Sequence, residues 1–224
     1  VIRRHPHDPE AFTQGLLWHD GQLFESTGLE LHSSVRRVEL ATGEVAQRHH
    51  VTDEEIFAEG LAFANGSLVQ LTWQSHKAFV YNAESFALER EFEYEGEGWG
   101  LCFDGTDLVM SDGSDTLSFR DPETFEVRRT IDVTKIGRPL RHLNALECVG
   151  GHVYANVWQT DEIVRIDPRS GRVTAVIDAR GLLTRAERAR TDVLNGIAWA
   201  PDRDTFLITG KLWPWMFEVR FVPR

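Results

Sequence analysis

Short runs of apolar and β-branched residues, broken at close intervals by turn residues, account for most of this chain, a pattern of many strands and little helix. A phrase punctuates the runs: one polar or aromatic residue, then Gly or Ala, then Leu or Ile. It occurs at Gln14-Gly15-Leu16, Glu59-Gly60-Leu61, Trp99-Gly100-Leu101, Asn144-Ala145-Leu146 and Asn195-Gly196-Ile197, at intervals of 45, 40, 45 and 51 residues. Repeats of that length are the size of propeller blades. After each phrase comes a turn, at Asp20-Gly21, Asn65-Gly66, Asp104-Gly105, Gly150-Gly151 and Pro201-Asp202, so each unit starts with a hairpin. A third run follows in every unit, at Val35 to Val38, Ala78 to Tyr81, Thr116 to Phe119, Glu162 to Ile166 and Met216 to Val219. Four units continue through a turn such as Asp121-Pro122-Glu123 into a fourth run such as Val173 to Ile177.

The unit is therefore a four-stranded antiparallel meander, and the chain is expected to form one all-β domain over residues 1–224, a five-bladed β-propeller. The last unit has only three runs, while Val1 to His5 belongs to none. The N-terminal segment is expected to complete the final blade, which closes the ring and removes a sheet edge. Thr184 to Glu187 has the spacing of a capping box, so Leu182 to Asp192 is expected to hold a short surface helix over one mouth of the ring.

In a propeller the first strand of each blade lines the central channel, so Gln14, Glu59, Trp99, Asn144 and Asn195 should converge on one axis. A packed β-core would favour Val or Ile there, and four of the five are amides or a carboxylate. Such groups can simply hydrogen-bond one another and hold water. What favours a binding site is the aromatic set nearby in sequence: Phe12, Phe57, Trp73, Trp99 and Trp158, with Trp213 and Trp215 close to Lys211. Trp73, Trp158 and Lys211 each follow the second strand of their blade, which places them at the same mouth as the phrase heads.

The net charge of −11, from 35 acidic and 24 basic residues, disfavours nucleic acid and anionic lipid as partners. No apolar stretch nears the roughly 18 residues that span a bilayer, so a soluble protein with no membrane partner is expected. The two cysteines, Cys102 and Cys148, lack CxxC spacing and read as buried free thiols, with a disulfide as the alternative. His5, His7 and His49-His50 lack metal-ligand spacing and read as solvated residues of turns or of the N-terminal strand. Asp112 and Asp115 around Gly113-Ser114 read as a turn cluster.

Taken in order, His7-Asp8-Pro9, Ala11-Phe12-Thr13-Gln14-Gly15-Leu16, Phe57-Ala58-Glu59-Gly60-Leu61, Leu71-Thr72-Trp73, Gly96-Glu97-Gly98-Trp99-Gly100-Leu101, Leu143-Asn144, Ala155-Asn156-Val157-Trp158, Leu194-Asn195-Gly196-Ile197 and Thr209-Gly210-Lys211-Leu212-Trp213-Pro214 resemble plant-type glutaminyl cyclases and their bacterial relatives. The resemblance spans nearly the whole chain, though Asn144-Ala145 stands where Asn-Glu is more usual. It implies a five-bladed propeller that converts the N-terminal glutamine of peptides or proteins to pyroglutamate and releases ammonia, with no cofactor and no catalytic zinc. It further implies functional roles for Phe12, Gln14, Phe57, Glu59, Trp73, Trp99, Asn144, Trp158 and Lys211, to which the axial Asn195 is added. Glu59, the one acid among the phrase heads, would be the general acid and base. Lys211, Gln14 and Asn144 would face the developing oxyanion, and the aromatic residues would wall the substrate. Family members are often exported, which implies a secreted or periplasmic protein, here expected to act as a monomer.

Two other readings compete. One is a metal-centred, lactonase-like propeller hydrolase with calcium or zinc on Glu59, Asn144 and Asn195, which lacks the axial Asp that such a site needs. The other is a non-catalytic, peptide-binding scaffold, which has no use for a lone carboxylate facing a lysine and three indoles.

Overall fold

The computed structural model describes residues 1–51 and 55–222. Five four-stranded antiparallel sheets follow one another along the chain. Blade 1 comprises Thr13–His19, Gln22–Thr27, Ser34–Val38 and Val45–His50; blade 2 comprises Ala58–Ala64, Ser67–Thr72, Lys77–Asn82 and Leu88–Glu93. Blade 3 comprises Leu101–Phe103, Leu108–Ser111, Thr116–Arg120 and Val127–Asp132; blade 4 comprises Leu143–Val149, His152–Val157, Glu162–Ile166 and Val173–Asp178. Blade 5 takes Leu194–Ala200, Thr205–Gly210 and Trp215–Val219 from the end of the chain and Arg3–Pro6 from its start. The N-terminal strand runs antiparallel to the last one, with Arg3 opposite Glu218 and Pro6 opposite Trp215. The ring closure expected from the missing fourth run is thus present.

The hairpins form where the turn chemistry asks for them. Asp20, Gly21, Asn65 and Gly66 all adopt positive φ, the left-handed region that tight β-hairpins require and that Asn, Asp and Gly tolerate best. Between neighbouring blades the apolar faces meet in five clusters of buried side chains among the described residues. Leu61, Leu68 and Phe79 pack against Phe24 and Val35 between blades 1 and 2. Leu16, Leu23, Ala198, Leu207 and Met216 seal blade 5 to blade 1. The core is therefore a set of wedges, and the axis is left to the polar phrase heads.

The small residue after each head is what lets the inner strands crowd together. A Cβ on Gly15 would lie 2.5 Å from the backbone nitrogen of Leu61, and one on Gly60 would lie 2.6 Å from that of Leu101. In four blades the pairing of the first two strands also slips at the phrase, between Thr13 and Gly15, Ala58 and Leu61, Leu143 and Leu146, and Leu194 and Ile197. Such a bulge turns one side chain out of the ladder, here toward the axis.

Several expectations need correction. Cys102 and Cys148 are not free thiols: they form a disulfide between the inner strands of blades 3 and 4, their Cα atoms 5.5 Å apart. His5 and His7 are buried rather than solvated: His5 lies in the closing strand of blade 5 and meets Glu218, and His7 follows it and meets Glu25 of blade 1. His49 lies in the strand Val45–His50 with its ring 5.3 Å from that of Tyr81. Trp213 is a core residue and Trp215 is held by Glu187, so neither belongs to the channel mouth. A two-stranded ribbon, Thr134–Lys135 with Arg138–Pro139, has no counterpart in the repeat.

The helix is one turn long, Arg185–Arg188, with the Thr184/Glu187 capping box formed in both directions. Glu187 also accepts from Trp215 and Arg4, and Arg188 binds Asp161, which sets the helix on the rim of blades 4 and 5. Asp112 accepts from Ser114, as a turn cluster should. Among the described residues no helix is long and apolar enough to cross a membrane.

Candidate active site

The floor of the site is a relay of buried amides ending on a carboxylate. Asn195 donates from Nδ2 to Gln14 Oε1 at 3.1 Å and to the Thr13 carbonyl at 3.1 Å, and its Oδ1 accepts from Ala145 N–H at 3.4 Å. Gln14 in turn donates from Nε2 to Glu59 Oε1 at 2.9 Å. Glu59 Oε2 and Asn144 Oδ1 are buried with no hydrogen-bond partner, a costly condition that calls for an occupant. Glu59, Asn144, Asn195, Gln14 and Lys211 are each at most 5% exposed, so these groups sit in a low-dielectric well.

That well sets their protonation. Burial pushes the Glu59 carboxyl well above the usual carboxylate range; Lys211 pulls it back only in part, and the negative charge of Glu97 pushes it further up. Burial likewise lowers Lys211, against the pull of Glu59 and Asp192. Tyr94, whose phenol donates to the Thr72 carbonyl, is pushed up to about 12 mainly by burial and stays neutral.

Above the floor stands an arc of side chains that passes through all five blades. Lys211 Nζ lies 4.7 Å from the Phe12 ring centroid, Phe12 meets Phe57 edge-on at 6.0 Å, and Phe57 meets Trp73 at 5.8 Å. Trp73 and Trp99 both donate their indole N–H to Glu97 Oε2, at 2.8 and 2.9 Å. Trp99 then meets Trp158 edge-on at 5.5 Å, and Trp158 meets His142 at 5.7 Å. Phe12, Phe57, Trp99 and Trp158 are half-buried and Trp73 is exposed, as walls of an open pocket would be.

Trp73, Trp158 and Lys211 do each follow a second strand. Their backbone N–H groups bond the carbonyls of Phe57, His142 and Val193, each two residues before a phrase head. One repeated turn thus holds both layers of the site.

A family model described as glutamine cyclotransferase matches residues 1–221. The chain belongs to the glutamine cyclotransferase family. It is 42% identical to the glutaminyl-peptide cyclotransferase of Arabidopsis thaliana over 98% of this chain and 70% of that protein. The crystal structure of Myxococcus xanthus glutaminyl cyclase matches with a TM-score of 0.91 at 42% identity, over 98% of this chain and 94% of that one. Kuenenia stuttgartiensis hydrazine synthase, at 19% identity, matches with a TM-score of 0.54 over 92% of this chain and 56% of that one, a likeness of fold alone.

Nine of the ten residues singled out from the sequence of this family member are joined by these interactions at one mouth, and the tenth, Asn144, is buried next to Ala145, whose N–H reaches Asn195. Gln14 donates from Nε2 to Glu59 and so orients that carboxylate, and its amide nitrogen carries a second N–H besides. Asn195 commits its oxygen to a backbone N–H, which leaves it poorly placed for an axial ion. Among the described residues no group of three His, Cys, Asp or Glu side chains is arranged to hold a metal.

Glu97, His142 and Tyr94 also belong to the site, and the repeated phrase does not pick them out. Two residues before the phrase heads stand Phe12, Phe57, Glu97, His142 and Val193. That register carries the signal that marks Glu97 and His142 as members of the wall.

Proposed function

We propose that the chain is a glutaminyl-peptide cyclotransferase in which Glu59 carries the proton from the substrate's α-amine to its departing amide. The observation that carries this reading is Glu59 itself: buried, held at one oxygen by Gln14, unpartnered at the other, and ringed by Lys211 and aromatic walls.

An α-amine has a pKa of about 8 and a free carboxyl one of about 4, and burial narrows that gap at Glu59. The α-ammonium sheds one proton to solvent, and the neutral amine passes a second to ionised Glu59 Oε2 as it bonds to carbon. The amine lone pair attacks the γ-carboxamide carbon, and the carbonyl electrons move onto oxygen. Lys211 and the Asn144 amide are the donors at hand for that oxyanion. Glu59 returns the proton to the amide nitrogen, the C–N bond breaks, ammonia leaves and the lactam carbonyl re-forms. The proton taken from the amine ends on ammonia, and the enzyme is restored. Trp73, Trp99 and Trp158 hold the side chain curled and keep out the water that would otherwise yield glutamate.

The experiment is incubation with a Gln-initiated dipeptide, with ammonia loss followed by mass spectrometry, for wild type and Glu59→Gln. Turnover by the wild type alone is expected. Turnover near the wild-type rate in the variant would remove Glu59 from the mechanism.

A secreted or periplasmic setting is supported by the Cys102–Cys148 disulfide, since such bonds persist in oxidising compartments. Fractionation of the native host tests it, and recovery of the reduced protein from the cytosol would overturn it. Action as a monomer is supported by the charge on outer strands such as Leu88–Glu93 and Val127–Asp132, which discourages edge pairing. Light scattering on the purified protein tests it, and a stable dimer would overturn it.

A further inference from the structure

From Phe12 to Trp158 the arc around the mouth is aromatic except between blades 2 and 3, where its continuity depends on a carboxylate. A single oxygen of Glu97 receives both indole N–H groups, from Trp73 on one side and Trp99 on the other, while its second oxygen receives Gln74 Nε2 at 2.9 Å. Trp99 is backed by Gly113, where a Cβ would come within 2.7 Å of the indole, so that ring has one way to lie. Trp73 lacks such backing, being exposed, and its contacts are the Phe57 edge and Glu97. In blades 1 and 2 the corresponding position is Phe12 or Phe57, and in blade 4 it is His142. A carboxylate there introduces a negative charge among aromatic rings, close enough to Glu59 to act on it electrostatically.

We propose that Glu97 is a positioning residue for the cyclisation: it clamps Trp73 and Trp99 at the separation that fits a glutamine side chain, and it sets a fixed negative charge beside Glu59. The inference rests on the cyclase reading above. The two halves of the role use different properties of the carboxylate and can be separated. The clamp needs an acceptor oxygen, which an amide also supplies. The electrostatic half needs the charge.

Burial pushes Glu97 upward, but the three donors from Gln74, Trp99 and Trp73 outweigh it and hold the carboxyl below its usual range, so it stays ionised through the working pH. Its charge adds to burial in raising Glu59, opposed by Lys211. The other ionisable group facing Glu59 is Tyr94, which remains neutral, and the groups around Glu97 are the uncharged Gln74 and the two indoles.

The test is steady-state kinetics with a Gln-initiated peptide across pH 5 to 9 on wild type, Glu97→Ala and Glu97→Gln. Loss of two charge-assisted hydrogen bonds in Glu97→Ala should raise KM by about 10- to 100-fold, with a smaller change in kcat. Glu97→Gln should restore KM to within about threefold, since its amide oxygen still accepts both indoles and Gln74 can turn its own oxygen to the new NH2. Both variants should move the acid limb of kcat/KM to lower pH by about half a unit or more, because the charge that raised Glu59 is gone.

A wild-type KM in Glu97→Ala overturns the clamp, and an unmoved acid limb in Glu97→Gln overturns the electrostatic role. Should Glu97→Ala fail to fold, Glu97→Gln decides: KM near wild type with a displaced limb upholds the proposal, and KM as high as that of Trp73→Ala overturns it. A wild-type enzyme with no turnover would instead sink the cyclase reading, a result that no Glu97 variant can mimic.

Discussion

Glu25 and Glu59 are both wholly buried glutamates, one at the seam where blade 1 meets the N-terminal segment and one at the axis, yet their acidities are driven in opposite directions. Burial alone would raise both. At Glu25 it is outweighed by His7, whose Nε2 lies 2.9 Å from Oε1, by Arg36 at 3.9 Å and by the Thr13 hydroxyl at 2.7 Å, so the carboxyl ends below its usual range. At Glu59 a neutral amide holds one oxygen, nothing holds the other, and the carboxyl ends well above it. The two acids lie at similar depth, so what separates them is the number of partners each carboxylate has. The seam gives its acid every partner it can use. The site withholds them, and the resulting hunger for a proton is what a shuttle needs.

The comparison breaks most sharply at Glu59. Glu59→Gln should lower kcat by at least about 1000-fold in the ammonia-release assay, while its thermal midpoint stays level or rises, because an amide has no charge to desolvate. A fall of many degrees would mean that this carboxylate also holds the fold together. Next comes Lys211→Met, which removes an oxyanion donor and the cation that restrains Glu59. A loss of about 100- to 1000-fold in kcat is expected, with the acid limb of the pH profile displaced upward, and the rate profile checks both together.

Glu25→Gln should do the reverse. Breaking one partner of a buried, hydrogen-bonded pair costs about 3–5 kcal/mol, to be read from urea unfolding, while kcat of the folded fraction remains near wild type.

The mildest effect is on stability against pH. Glu25, held below its ordinary 4.5, stabilises the fold above pH 4.5 and loses that contribution as pH falls through its depressed value. His7 is lowered by burial but raised by more through Glu25, so it ends above its ordinary 6.5. Its contribution is complete below pH 6.5 and is lost as pH rises through the raised value. The seam should thus hold best between about pH 4.5 and 6.5. Glu59, raised, shares the sense of His7, so wild type should lose stability relative to Glu59→Gln as pH climbs above 4.5. Melting curves at half-unit steps of pH would show whether the two proteins diverge in that direction.

The ring and the polar axis were legible in the sequence because they recur: a head residue, a small residue and a turn, five times over, leave a periodic trace. The wall was legible wherever it was aromatic and fell at the end of a second strand, as Trp73 and Trp158 do. What escaped was made by neighbours in space that share no repeat. Cys102 stands three residues after its phrase head and Cys148 four after its own, so they face each other only when adjacent inner strands are laid side by side. His5 and His7 looked like surface residues because their partners, Glu218 and Glu25, lie 213 and 18 residues away, across the closure. Glu97 was hidden inside a recognised motif, since a carboxylate at that step gives no hint that it binds two indoles from different blades.

The pairing of Arg3–Pro6 with Trp215–Val219 has a consequence for how the molecule comes to exist at all. Arg3–Pro6 has no strand to dock on until Trp215–Val219, made far later, is present, and Phe12 meets Lys211 only after that meeting. No nascent fragment short of the final blade can hold a finished pocket, so a half-made chain is kept from working on the amino termini of its neighbours.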